Sequence, residues 1–302
     1  MKNSISEIVT HNSRFHTDDV FAVAALTLLL GEVRVIRTRE PSAFADADYV
    51  VDVGNLYDPG ARRFDHHQEG GAGARQNGVP YASFGLVWKT YGKEIAGSEA
   101  VFEKIDQKLV QPIDAMDNGI DILMPKNAVS PYLIQDITFA FGSSWKEKDR
   151  DIDAAFMEMV GLAKKILERE IIRSRDEIEA TTYVEEAYRR ADDKRVVVLE
   201  DAYPYDALVS HHEVLYVVRP NIQSANWKVE AVSAGLRTYA VRKPLPAEWA
   251  GKRDEDLAAL TGVADALFCH NGRFLAVAGS KAGALSLAKL ALGAPLGGEA
   301  SK

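Results

Sequence analysis

The tightest constraint on this chain is the alternation of its first fifty residues. "SEIVTHN" is an apolar run that turns polar at His11, as a strand does on reaching the rim of a sheet. "DDVFAVAALTLLLG" opens on acids and closes on Gly31, the start and stop marks of a helix. "EVRVIRTR" alternates like a half-buried strand, and "DYVVDVG" reads as a buried strand ending at Asp52. Strand, helix, strand, strand at this spacing predicts an α/β fold with a mainly parallel sheet flanked by helices. Ligands of such sheets bind at the carboxyl ends of the strands, where His11 and Asp52 fall.

Helical patterns dominate from "YASFGLVWKTYGKEI" through "VFEKIDQKLVQPIDAMDNGI". Residues 149–193 form a charged amphipathic stretch that suits a helical connector. Three strand candidates follow, "RVVVLED", "EVLYVVRPN" and "WKVEAVSAG", then a hairpin in "ALFCHNGRFLAVAGS" and a helix in "SKAGALSLAKLAL". The chain is therefore expected to divide into residues 1–148, the connector 149–193, and a smaller α+β domain over 194–302. The final "GAPLGGEASK" is expected to fray.

Composition narrows the function classes. The formal net charge of the 302 residues is -8, so no global basic field recruits nucleic acid. A nucleic-acid substrate would need a local basic strip or metal ions. The single cysteine, Cys269, excludes a disulfide framework and a thiolate zinc cluster, and it suits a reducing compartment. The start "MKNSISEIVTH" carries no signal-peptide core, and the longest apolar run, "VFAVAALTLLLG", is too short to span a bilayer. A cytoplasmic protein with no membrane partner is expected.

The chemistry-bearing residues cluster in the first half. "THNSRFHTDD" supplies His11, His16, Asp18 and Asp19; "VVDVG" supplies Asp52; "RRFDHHQ" supplies Asp65, His66 and His67; "IDAMDNG" supplies Asp114 and Asp117. Singly, each has an ordinary reading: Asp18 and Asp19 suit a helix N-terminus, and the Asp-His-His run could be a solvated loop. Asp52 is harder to dismiss, because a carboxylate ending a buried strand is costly unless paired or metal-bound. Imidazole and carboxylate together suit borderline divalent metals. More than four such groups suggest two ions about 4 Å apart sharing a bridging carboxylate.

These motifs resemble the DHH phosphoesterase superfamily. More closely, "THNSRFHTDDVFA", "DVGNLYDPGARRFDHHQ" and "IDAMDNGI" look like the melanocyte-proliferating-gene-1 family of metal-dependent hydrolases, and "HNGRFLAVAGSKAGALSLAKLAL" resembles that family's C-terminal segment. The likeness implies a DHH-like catalytic domain followed by a substrate-binding domain. It implies that His11 and His16 bind one metal, that Asp18 and His66 bind the other, and that Asp52 bridges them. Asp117 completes the site, with Asp114 as the substitute. His67, with Asp65 and Arg63 beside it, is implied as the catalytic group that meets the phosphate. The cofactor implied is a divalent pair, Mn²⁺ first, with Mg²⁺, Co²⁺, Fe²⁺ or Zn²⁺ as alternatives. Many superfamily members carry aspartate where this chain has His16, which leaves metal preference open.

The reaction implied is phosphodiester hydrolysis, a 3′-to-5′ exonuclease on RNA or short oligonucleotides. Arg62, Arg63 and Arg75 near the Asp-His-His run, and Arg219, Lys228, Arg242, Arg273 and Lys281 later on, are the candidate cationic strip. Gly279, Ser280 and Lys281 open a helix, where backbone N–H groups can receive phosphate, and His270 is a further candidate contact. Any one of these cations is more often solvated surface. Two alternatives stay open: a small-molecule phosphatase or pyrophosphatase on the same site, and a nucleotide- or nucleic-acid-binding protein without turnover. A homodimer is among the assemblies the sequence allows.

Overall fold

Ile8 and Val9 are fully buried and sit in β1 (Ser6–Thr10), on which the first sheet is built. In the computed structural model, which describes residues 5–123, 128–236 and 238–295, β1 is followed by α1 (Thr17–Leu30) and β2 (Val33–Arg37). Next come α2 (Pro41–Asp46), β3 (Tyr49–Val51), β4 (Tyr57–Asp58) and β5 (Arg63–Phe64). The sheet order is β2-β1-β3-β5-β4. β1 runs parallel to both β2 and β3, with Val9 opposite Ile36 and Val50, and β3 runs parallel to β5; only β4 is antiparallel. Within "RRFDHHQ", Arg63 and Phe64 form a two-residue strand, and Asp65 follows it directly at the sheet rim.

α1 explains why this half holds together. Every residue from Thr17 to Leu26 is buried, so the helix is covered all round. Its cover comes from β1, β3 and α3 (Ser83–Ala96), with α4 (Glu99–Ile105), a π-turn at Asp106–Val110 and α5 (Gln111–Asp117) continuing that layer. α6 (Ile134–Phe141) and the 39-residue α7 (Ile152–Arg190) follow.

The chain divides into two compact units, residues 1–175 and 176–302, with α7 running across the division. The second unit contains β6 (Val196–Val198), β7 (Tyr216–Pro220), β8 (Trp227–Ala231), α8 (Asp254–Thr261), β9 (Ala266–Cys269), β10 (Leu275–Ala278) and α9 (Lys281–Gly293). Its sheet order is β6-β7-β8-β10-β9, antiparallel except for the β6–β7 pair. β7 shows the two-residue period of a strand buried on both faces. Tyr216 and Val218 enter one core with Leu287 of α9, while Val217 enters the other with Val184 of α7. The protein is α/β, with two mixed sheets flanked by helices. Among the described residues no helix is long and apolar enough to cross a membrane. The segment expected to fray lies, from residue 296 onward, outside the described residues.

Candidate metal centre

Three parallel strands deliver their ends to one place. His11 follows β1, Asp52 follows β3 and Asp65–His67 follow β5, while Asp18 and Asp19 open α1 and Asp117 closes α5. Asp52 takes a left-handed backbone, φ +56°, a conformation that costs a non-glycine residue energy and concentrates at functional sites. Its side chain is 1% exposed, and its two oxygens face different histidines: Oδ2 lies 3.2 Å from His11 Nε2, and Oδ1 lies 3.4 Å from His66 Nε2. His11 Nε2 also lies 3.1 Å from Asp19 Oδ2, and His66 Nε2 lies 3.2 Å from Asp117 Oδ2.

Despite these distances, His11 Nε2, Asp18 Oδ1, Asp19 Oδ2, Asp52 Oδ2 and His66 Nε2 are buried without a hydrogen-bond partner. An unsatisfied buried polar atom typically costs about 1–3 kcal/mol. Five of them gathered at these strand and helix ends are what a cation site needs and an ordinary core avoids. Three ligand sets fit an ion, each with its atoms within 4.8 Å of one another: His11, His16 and Asp52; Asp52, His66 and His67; and His16, Asp18 and Asp117. Asp52 and His16 each belong to two sets. The donor set, imidazole plus carboxylate, fits a divalent metal.

The electrostatics agree. Burial pushes the Asp18 carboxyl well above the usual range, and the neighbouring Asp52, Asp117 and Asp19 charges push it further. Burial pulls the His11 imidazole downward, yet Asp19 and Asp52 overcome this and lift it to about 10. For His66, Asp117 and Asp52 likewise outweigh burial and lift it to about 10. The carboxylates around the two imidazoles thus set up a field that favours positive charge at this point.

Neighbouring groups fix this geometry. Asp19 Oδ1 accepts from the His16 backbone N–H at 2.9 Å, so one oxygen caps α1 while the other faces His11. Ser83, the first residue of α3, donates its hydroxyl to Asp52 Oδ1 at 2.9 Å and its N–H to Asp18 Oδ2 at 3.3 Å. In the sequence Asp19 belongs to the His/Asp cluster but reads singly as a helix-start acid, and Ser83 stands outside every motif. The acid-rich "THNSRFHTDD" run points to the first, and no sequence signal marks the second. Asp65 is 1% exposed and accepts from the N–H groups of His66, His67 and Asn55. Burial would raise this carboxyl, but His67 and Asn55 hold it below the usual range. Asp65 Oδ1 also holds His67 Nδ1 at 2.7 Å, leaving a half-exposed ring with Nε2 available.

Asp114 and Asp117, one helical turn apart, are used differently. Asp114 is buried against Arg75, at 2.8 Å, and accepts from the Gly85 N–H at 3.0 Å. Burial lifts its carboxyl to about 7 even with Arg75 beside it. A Cβ on Gly85 would lie 1.8 Å from Asp114 Oδ2, so only glycine allows this approach. Asp117 is the one that faces the histidines.

The expected cationic strip is largely engaged elsewhere. Arg63 donates to the carbonyls of Phe44 and Ala47, and Arg62 lies over the Tyr49 ring. Arg75 also bonds Asp106, Arg219 pairs with Glu230, and Arg242 donates to the carbonyls of His211 and Val214. Lys281 pairs with Glu200 and lies over Trp227. The N-terminus of α9 already holds a carboxylate: Asp265 accepts from the Ser280 hydroxyl at 2.6 Å, and its carbonyl accepts from the Gly279 N–H at 2.8 Å. His270 Nδ1 accepts from the Gly272 N–H at 2.9 Å, a hairpin-turn contact.

A family model described as "Uncharacterised protein family (UPF0160)" matches residues 7–292. The MYG1 protein C694.04c of Schizosaccharomyces pombe is 29% identical, over 97% of this chain and 99% of its own length. The MYG1 exonuclease of Homo sapiens is 29% identical over 94% of this chain and 85% of its own, and the MYG1 protein of Dictyostelium discoideum is 28% identical over 93% and 94%. With its histidines and aspartates gathered at the strand ends of an α/β unit, this chain belongs to the MYG1 family, UPF0160.

Proposed function

We propose that the chain is a metal-dependent phosphodiester hydrolase of the DHH phosphoesterase superfamily, a 3′-to-5′ exonuclease on RNA or short oligonucleotides. The observation that carries this reading is the set of five orphaned buried nitrogens and oxygens around Asp52. Relatives in Homo sapiens and Mus musculus are named MYG1 exonuclease, which supports the reaction class.

In this reading His11, His16, Asp18, Asp52, His66 and Asp117 would hold a divalent pair, Mn²⁺ by preference, and Asp52 belongs to both the His11 and the His66 ligand set. Such ions supply Lewis acidity, activating water near neutral pH and offsetting phosphoryl charge. Asp19 and Ser83 keep His11 and Asp52 in place. His67, steadied at Nδ1 by Asp65, presents Nε2 to a phosphoryl or leaving oxygen and can donate a proton there. Arg63 braces the strand that carries this histidine pair through its bonds to the Phe44 and Ala47 carbonyls.

The test strips the protein with a chelator, restores Mn²⁺, and follows a 5′-labelled RNA oligonucleotide on a length ladder. DNA, dinucleotides, cyclic dinucleotides and pyrophosphate run in parallel. Stepwise shortening from the 3′ end, only with metal, is expected. Pyrophosphate cleavage with intact RNA transfers the site to small phosphates, and no cleavage of any substrate overturns the hydrolase reading.

A further inference from the structure

Beyond β2 the chain stays in register with its neighbour, since the Thr38 N–H donates to the Thr10 carbonyl at 2.8 Å. The next residue, Arg39, therefore stands at the same sheet rim as His11 and Asp52. A cavity of about 350 Å³ opens there, lined by Arg39, Pro41 and Phe44 on one part and by Asp52, Asp65 and His67 on another. This volume lies within the range of small-ligand sites.

The charges inside the cavity are unevenly engaged. Asp65 is saturated by three backbone N–H groups and the His67 ring. Asp52 is turned toward His11, His66 and Ser83. Arg37, two residues before Arg39, is taken up by Asp153 and the Ser13 carbonyl. Arg39 is exposed, and among the described residues it makes no hydrogen bond, ion pair or ring contact. The five donors of a guanidinium match phosphate oxygens. Pro41 and Phe44 offer an apolar wall beside them, the kind of surface on which the flat face of a base packs.

We propose that this cavity is a nucleoside monophosphate subsite, with Arg39 binding the phosphate and the Pro41–Phe44 wall receiving the base. That the nucleotide arrives as part of an oligonucleotide rests on the hydrolase reading; the subsite's chemistry does not. Arg39 is a specificity residue for phosphate-bearing ligands, placed beside His67 and outside the metal ligand set.

The test uses the full chain at saturating Mn²⁺ and measures AMP and adenosine binding by calorimetry in wild type, Arg39→Ala and Arg39→Lys. Because Arg39 is exposed and unpaired, both variants are expected to fold and to keep wild-type metal content. AMP affinity should fall about 10- to 100-fold in Arg39→Ala, with part of the loss recovered in Arg39→Lys, as expected for removal of a charge-assisted contact. Adenosine binding should be insensitive to both changes. Equal AMP affinity in wild type and Arg39→Ala, or no AMP binding to wild type, overturns the subsite. AMP binding that depends on Arg39 with no oligonucleotide cleavage leaves the subsite standing and removes the hydrolase reading. Oligonucleotide cleavage with AMP affinity indifferent to Arg39 does the reverse.

Discussion

The Ser83 hydroxyl donates to Asp52 Oδ1 at 2.9 Å, tying the start of α3 to the carboxylate at the end of β3. Both residues are buried, so this bond fixes which way Asp52 presents its oxygens. Ser83→Ala should keep the fold and lower metal affinity about 10- to 100-fold, the usual effect of losing a group that orients a ligand. A metal titration of the stripped variant checks it; unchanged affinity would remove Ser83 from the site.

Asp52→Asn replaces one oxygen by an amide while keeping a residue type that tolerates the left-handed backbone. The variant should fold, lose most bound metal and lose nearly all turnover. Elemental analysis beside circular dichroism reads both properties, and full metal content would sink the bridging role.

His66 and His67 should fail differently. His66 is nearly buried and faces Asp52 and Asp117, whereas His67 is half exposed and held by Asp65. His66→Ala should lose metal and rate together. His67→Ala should keep metal while its single-turnover rate drops on the order of 10²- to 10³-fold. Equal metal loss in both variants would show that His67 belongs among the ligands.

The stripped protein should carry a pH signature. His11 and His66 are lifted to about 10 in the fold, above their ordinary value near 6.5, so the folded state holds extra protons between these limits. Their stabilising contribution is full below about pH 6.5 and is lost as pH rises through 10. The melting temperature of metal-free protein should therefore fall across that window. Loading with Mn²⁺ should flatten the decline, because the ion takes the protons' place. An identical pH dependence with and without metal would contradict a site built on these two rings.

Much of this was legible in the chain because strand ends and periodicity are local properties. β1, β2 and β3 lie where the apolar runs placed them, and His11 and Asp52 stand at their ends. The hairpin of β9 and β10 and the helix α9 were equally plain. The engagement of each cation was not legible, because a guanidinium's partner is a tertiary fact. Arg219 finds Glu230 across a strand pair, and Arg242 finds carbonyls about thirty residues away. Ser83 looks like any residue at a helix start, and Arg39 like any surface arginine. Only the packing of α3 on α1 and the course of the chain after β2 separate them from the rest. The residues alone do not separate Asp114 from Asp117, whereas the family resemblance favours Asp117; Arg75 and Gly85 engage Asp114 in the structure.

α1 is sealed on every side from Thr17 to Leu26. Amides in such a segment exchange with solvent only when the surrounding unit opens as a whole. Hydrogen exchange should therefore find its slowest protons between Val20 and Leu26, directly behind Asp18 and Asp19. The carboxylates at the head of this helix ride on the part of the first unit that is last to open. Brief fluctuations of the surface loops should leave these two carboxylates in place, so that His66 and Asp117, which lie outside the helix, return to a fixed half of the site.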